Sequence, residues 1–300
     1  MFASRSHDWR PETAAVLALM ARRDLPWNKV GGMVEEEGSA VALLNDLEQE
    51  QAPTLFGDSP TPEVLDELAG RIDEWEREGM QVITVLDDAY PVNLRLVHDR
   101  PAALFVHGDL SPDDERSVAV VGTRKASDRG LEQAEAITRG LAEAGYVIVS
   151  GLAEGIDTAA HTAALHAGQR TVAVVGTGLR HSFPRSNADL QEHLGRESAV
   201  LSQFWPDQEP RKYTFPMRNA VMSGFARATV VVEARGQSGA RMQARLAREH
   251  GRPVFLLRSL LAHEWAQDYA SKSGTYIIED AREVVDRLER LYSDELTLAP

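Results

Sequence analysis

Val118–Asp157 begins VAVVGTRKASDRG and ends YVIVSGLAEGID. Val118–Val121 is an unbroken valine-rich apolar run that stops at Gly122, the pattern of a strand buried on both faces. Thr123, Arg124, Lys125 and Ser127 come next. The stretch from Arg129 to Ala144 is compatible with a helix that Gly145 closes. Tyr146–Val149 predicts a second buried strand, Ser150-Gly151 its exit, and Ile156 the start of another helix. Both strands of this βαβ unit leave on small residues into helix N-termini, which present backbone N–H groups to anions. The candidate site is therefore placed at these strand exits.

The same alternation continues outward. Strands are predicted at Thr171–Val175, Ala199–Leu201, Thr229–Glu233, Pro253–Leu257 and Thr275–Ile278. Helices are predicted near Ala188–Gly195, Pro216–Phe225, Gly239–His250 and Ala281–Leu291. Strands alternating with helices predict an α/β fold with a doubly wound, mostly parallel sheet of extended Rossmann-like type. Right-handed crossovers place all the strand exits on one edge. Upstream, Gln81–Leu86 and Ala103–His107 read as strands around a Tyr90-Pro91 turn, with Ser111–Arg116 as a polar connector.

The N-terminal part is different. Residues 1–10 are polar and expected to be loose, and Pro11–Arg23 has helical spacing. Trp27–Asp46 reads as two helices broken at Gly38-Ser39, with Ser39 as N-cap. Gln51–Pro60 reads as a linker, and Thr61-Pro62-Glu63 starts a helix that runs to about Glu78. Three units are expected: a small helical domain over 1–79, the Rossmann-like domain over 80–292, and a tail over 293–300.

The chain has 300 residues, 43% of them apolar, and no cysteine. Thiol catalysis, disulfides and thiolate metal sites are excluded, and no metal site is predicted. No long apolar run or leader pattern is present, so a cytoplasmic protein without membrane contact is expected. The net charge is −14, unevenly placed. Residues 1–116 carry a net −14, and residues 253–300 a net −4. Residues 117–252 hold 17 basic and 13 acidic side chains, and 15 of those 17 are Arg. A basic middle on an acidic body is the footprint of a local anion site, and the Arg fork suits phosphate.

Gly122-Thr-Arg124-Lys125 reads as a phosphate cradle, or else as a tight turn with solvated cations. GxGxxG and the P-loop spacing are both absent, which disfavours NAD and P-loop nucleotides. Asp157 and His161 share one helix face. They form either an acid–base or metal pair or, preferably, a cap and a packed histidine. Ser150 lacks the nucleophile-elbow context. Arg185 lies where it would meet a phosphate, while Phe183 reads more readily as core. Arg211, Lys212, Arg218 and Asn219 interleave with Tyr213 and Phe215, as stacking on single-stranded nucleic acid requires. Glu233 ends a buried strand, and Gln237-Ser238-Gly239 opens the next helix. Ser238 and Gly239 are placed among the phosphate contacts. Glu233 is either a ribose or base contact or a brace.

Taken in order, VAVVGTR, SGLAEGID with His161, TVAVVGTGL with Phe183-Pro184 and Asn187, FPMRN, and VVVEA with its following Ser-Gly resemble the DprA/Smf DNA-processing family. The resemblance covers about residues 80–280. It implies a Rossmann-like domain that forms homodimers, binds single-stranded DNA in a basic pocket and hands it to a RecA-type recombinase during natural transformation. By motif, that pocket comprises Arg124, Lys125, Ser150, Gly151, Arg185, Asn187, Arg218 and Asn219. It also implies a DNA-binding loader rather than an enzyme, with no cofactor. Departures from the family pattern include Ala220, where the family commonly has Arg, and the stretch 258–274. The alternative is a nucleotide sensor or nucleotide-cleaving enzyme of the wider superfamily, as in phage defence, with Glu233 and Asp157 in chemical roles.

Overall fold

The computed structural model describes residues 9–50, 62–236 and 238–298. Among the described residues, α1 (Trp9–Ala21), α2 (Trp27–Glu37), α3 (Ala40–Glu50) and α4 (Pro62–Arg77) come first. α1 starts inside the stretch expected to be loose. Gly38 ends α2 in the left-handed conformation, φ 76°, and its N–H returns to Val34 O. Ser39 Oγ then accepts from Ala42 N–H at 3.1 Å and so begins α3. The linker expected at Gln51–Pro60 lies outside the described residues.

β1 (Met80–Thr84), α5 (Val92–Arg95) and β2 (Ala103–Gly108) follow, then β3 (Ser117–Val121), α6 (Asp128–Glu143), β4 (Val147–Ser150) and α7 (Ile156–His166). Next come β5 (Thr171–Val174), α8 (Ala188–Glu197), β6 (Ala199–Ser202), α9 (Thr214–Phe225), β7 (Ala228–Val231) and α10 (Gly239–Glu249). β8 (Val254–Leu257), α11 (Glu264–Ala270), β9 (Thr275–Ile278) and α12 (Ala281–Leu298) complete the chain. Three elements differ from the sequence reading. The stretch 258–274 contains α11, anchored by buried Trp265 and Tyr269. α5 occupies the turn after Pro91. α12 runs past Leu291 to Leu298, because its apolar spacing continues through Leu288 to Tyr292, whose hydroxyl donates to Arg227 O.

Among the described residues nine strands form one sheet, in the order β1-β2-β6-β5-β4-β3-β7-β8-β9. β2 pairs antiparallel with both β1 and β6, and every other pairing is parallel. From β6 to β9 this is the doubly wound arrangement. β4, β5 and β6 extend one way from β3, and the chain then returns through α9 to place β7 on its other side. The strand order therefore reverses between β3 and β7, where such sheets open a crevice.

Side chains alternate across the sheet as the pleat requires. Val118, Val120 and Ile148 pack with Ala134, Ile137 and Leu141 of α6, Ala160 of α7 and Val284 of α12. Ala119, Val121, Val149 and Val174 face the other way, toward Val221 and Met222 of α9 and Ala240 and Ala244 of α10. α1–α4 share this second core with the sheet. Trp75 of α4 stands edge-on to Phe105 of β2 at 5.3 Å and to Trp205 at 5.9 Å.

Candidate nucleic-acid interface

At the switch point lies a cleft of about 300 Å³. The exit of β3 supplies Gly122, Thr123 and Arg124, and the loop into α7 and its first turn supply Ala153 and Asp157. The first turns of α9 contribute Phe215, Arg218, Asn219 and Met222. The start of α10 contributes Ser238, Gly239, Ala240 and Gln243. Four chain segments distant in sequence thus converge on one opening.

Arg218 forms its floor. It is only 5% exposed, and its Nη1 donates to Gly151 O at 2.6 Å and Val174 O at 2.9 Å. These carbonyls sit at the ends of β4 and β5. Its Nε has no hydrogen-bond partner among the described residues. Burial pulls its pKa below the ordinary value, and Asp157 opposes that shift. Asp157 is also buried, and Oδ2 accepts from Gly151 N–H at 3.2 Å. Burial pushes its carboxyl above the usual range, against the nearby Arg218 and the N–H groups of Ala153, Gly151 and Gly122.

The rim is built differently. Arg124 is exposed, with its guanidinium carbon 5.4 Å from the centre of the Phe215 ring, a cation–π distance. Phe183 lies 5.4 Å beyond Phe215, tilted by 48°. Phe183 is 41% and Tyr213 59% exposed, so neither is core. Arg211 and Lys212 are exposed immediately before α9, with Arg211 paired to Glu209 at 2.9 Å. Arg185 is exposed two residues after Phe183, and Lys125 is exposed beside Arg124. None of these four cations lines the cleft itself.

Most of the remaining candidates are turned inward. Ser150 is fully buried, its hydroxyl donating to Val120 O at 2.7 Å and tying β4 to β3. Asn187 Nδ2 donates to Leu152 O and to Thr158 Oγ1, both at 2.8 Å. Gly151 has no room for a side chain, since a Cβ there would lie 1.5 Å from Arg218 Nη1. Asn219 Nδ2 reaches Gly239 O at 3.3 Å. Ser238 caps α10 through Arg241 N–H at 3.2 Å, and Gly239 faces open space. Gln237 lies outside the described residues.

His161 is fully buried, with Nδ1 2.7 Å from Thr171 Oγ1. Burial lowers its pKa to about 3. It stays neutral and is turned away from the cleft. Glu233 Oε2 accepts from both Ser127 N–H and Ser127 Oγ at 3.0 Å, so it braces the start of α6 rather than an Arg. Sequence reading missed Met222 and Gln243. Each sits four residues after a candidate already chosen, Arg218 and Gly239, on the same helix face.

A sequence model of the family described as DNA recombination-mediator protein A matches residues 81–294. The chain belongs to that family. The DNA processing protein DprA of Streptococcus pneumoniae is 44% identical over 174 residues, which are 58% of this chain and 61% of that protein. The chain thus spans less than two thirds of that relative's length. Bacillus subtilis DprA is 34% identical over 235 residues, 78% of this chain and 74% of its own. An X-ray structure of pneumococcal DprA superposes with a TM-score of 0.71 at 31% identity, covering 95% of this chain and 98% of that one. A Helicobacter pylori DprA structure, described as revealing that protein's single-stranded DNA binding mode, gives 0.62 at 26% identity, covering 70% and 96%. Among the described residues no helix is long and apolar enough to cross a membrane.

Proposed function

We propose that this chain binds single-stranded DNA along the rim of the switch-point cleft, protects it and assists a RecA-type recombinase in loading onto it, as in DNA uptake. The observation that carries this reading is the run Arg124–Phe215–Phe183, a cation on one ring and a second ring beside it, flanked by exposed Tyr213, Arg211 and Lys212. Exposed aromatic faces take bases regardless of sequence, and Arg and Lys beside them take phosphates. The relatives' names and the Helicobacter pylori structure point the same way.

In this reading Arg124, Lys125, Arg185, Arg211 and Lys212 contact the strand. Ser238 and Gly239 offer the start of α10 to a phosphate. Ser150, Gly151, Asn187, Arg218 and Asn219 hold the cleft's shape. Residues 80–292 act as the DNA-binding and homodimerising unit, with 1–79 as a helical appendage and 293–300, which begin as the last turns of α12, as a tail. The protein works in the cytoplasm as a binder, without a cofactor. The nucleotide-cleaving alternative draws little support, because Glu233 Oε2 is engaged with Ser127 and Asp157 is buried against Gly151.

A fluorescence-anisotropy titration of a labelled oligo-dT strand of about 30 nucleotides, beside a matching duplex and at two salt concentrations, tests this. Salt-sensitive preference for the single strand is expected. No binding at low salt removes the proposal.

A further inference from the structure

On the far end of α10 from the cleft, His98 and Asp99 of the α5–β2 loop meet His250. One ligand atom from each lies within 4.8 Å of the other two. His250 Nε2 is 2.8 Å from Asp99 Oδ1, and Nδ1 is 2.8 Å from Ser223 Oγ on α9. The His98 ring lies 5.6 Å from that of His250, nearly perpendicular, and His98 itself is exposed.

Ser223 Oγ sits between Ala220 O at 3.0 Å and His250 Nδ1 at 2.8 Å, so it holds the imidazole from its remote nitrogen. The other ring nitrogen, Nε2, then faces the carboxylate oxygen of Asp99 on the side where His98 approaches. An outer-shell hydroxyl fixing the remote ring nitrogen is also how metal-bound histidines are oriented.

We infer that His98, Asp99 and His250 form a binding site for one divalent transition-metal cation of the zinc type, clipping the α5–β2 loop to the ends of α9 and α10. Two imidazoles and one carboxylate suit a borderline ion, whereas Mg²⁺ and Ca²⁺ prefer all-oxygen sites. Ligand bonds of about 2.0–2.1 Å at tetrahedral angles separate N and O by about 3.3 Å, so the pair needs to open by only about half an ångström. Rotation of the exposed His98 ring brings in the third ligand, and water completes the open side. Any proton between Nε2 and Oδ1 passes to solvent as the cation binds. Because α9 and α10 also line the switch-point cleft, the clip steadies two of its walls.

The test is titration of the tag-free, metal-free chain with ZnCl₂ against a chromophoric chelator. One Zn²⁺ per chain at micromolar affinity or tighter is expected, undisturbed by millimolar Mg²⁺ or Ca²⁺. His98→Gln, at an exposed position that leaves folding intact, should weaken binding more than about tenfold, since even outer-shell changes cost 10–100-fold. His193→Gln, at an exposed histidine on α8, should change nothing. Zn²⁺ should raise the Tm of the wild type and not that of His98→Gln. Absence of stoichiometric Zn²⁺ binding, or equal binding by His98→Gln, overturns the site.

Discussion

Arg218 Nη1 donates to Gly151 O at 2.6 Å across the end of the sheet, and a Cβ on Gly151 would stand 1.5 Å from that same nitrogen. The two residues define each other's place. The glycine is required because the guanidinium fills the space a side chain there would need. The guanidinium in turn ties the exits of β4 and β5 through Gly151 O and Val174 O. A cation that reads from sequence as a phosphate contact is thus part of the cleft's frame, which leaves the rim cations as the proposed phosphate contacts.

Arg218→Met should accordingly act on stability. It leaves two buried carbonyls without donors and removes the cation that opposes Asp157's desolvation, a loss of about 2–4 kcal/mol. Gly151→Ala should reproduce much of this, because the methyl displaces the guanidinium from both carbonyls. Urea unfolding of the three proteins decides the matter. Wild-type stability in Arg218→Met would show that the buried network carries no weight.

Arg124→Ala should behave in the opposite way. The side chain is exposed, so the unfolding midpoint stays where it is. Single-stranded DNA binding weakens, and the slope of log affinity against log salt flattens by about one unit as a phosphate contact is lost. Phe215→Ala should weaken binding by about 1–3 kcal/mol with the slope unchanged, since stacking releases no counterions. The double variant should lose less than the sum, because Arg124 rests on the Phe215 ring. Full additivity would separate the two residues.

The parallel sheet was legible because each strand of the doubly wound part is a short apolar run followed by small residues or a turn. The reversal between β3 and β7 was not, since it depends on which side each crossover lays its strand. The orientation of polar groups was legible only in part. Ser150 follows Ile148 at a spacing of two, which puts it on the face covered by α6 and α7 and explains its burial, yet its position at a strand exit suggested a ligand contact. Arg218 and Asn187 carry no such signal, because a helix start offers donors equally to solvent and to neighbouring carbonyls. α11 escaped because it is short and lies between Ser and Gly breaks. The four-residue spacing of Trp265 and Tyr269 is its one mark.

His161 gives the protein an acid-sensitive core. Thr171 Oγ1 donates to Ile148 O at 2.9 Å, so it accepts from His161 Nδ1–H and leaves Nε2 bare in the interior. The folded state keeps this imidazole neutral down to about pH 3, while the unfolded chain takes up its proton near 6.5. As pH falls below about 6.5 the unfolded state binds more protons, so stability falls until about pH 3. The loss is about 2 kcal/mol by pH 5. Asp157 works the other way, its raised folded pKa favouring the native state as acid is added. His161→Leu removes only the first effect. Between pH 7 and pH 5, the wild type should therefore lose about 2 kcal/mol more than His161→Leu in urea unfolding, and equal losses would contradict the buried neutral imidazole.

Glu233→Gln separates a brace from a reagent. Glu233 Oε2 receives Ser127 N–H and Ser127 Oγ–H, while Ser127 Oγ accepts from Gly130 N–H at 3.1 Å and so caps α6. A glutamine carbonyl oxygen accepts the same two bonds, so the start of α6 and the Thr123–Lys125 turn before it should stay in place. Single-stranded DNA affinity should remain within about twofold of wild type, with the salt slope unchanged. Glu233→Ala removes the acceptor and leaves Ser127 N–H and Oγ–H unbound. It should lower stability by about 1 kcal/mol, the net worth of such a bond, and loosen the turn that carries Arg124. A collapse of binding in Glu233→Gln, with its fold intact by circular dichroism, would mean that the carboxylate's charge acts on the ligand. The nucleotide-directed reading of this cleft would then take precedence over the strand-binding one.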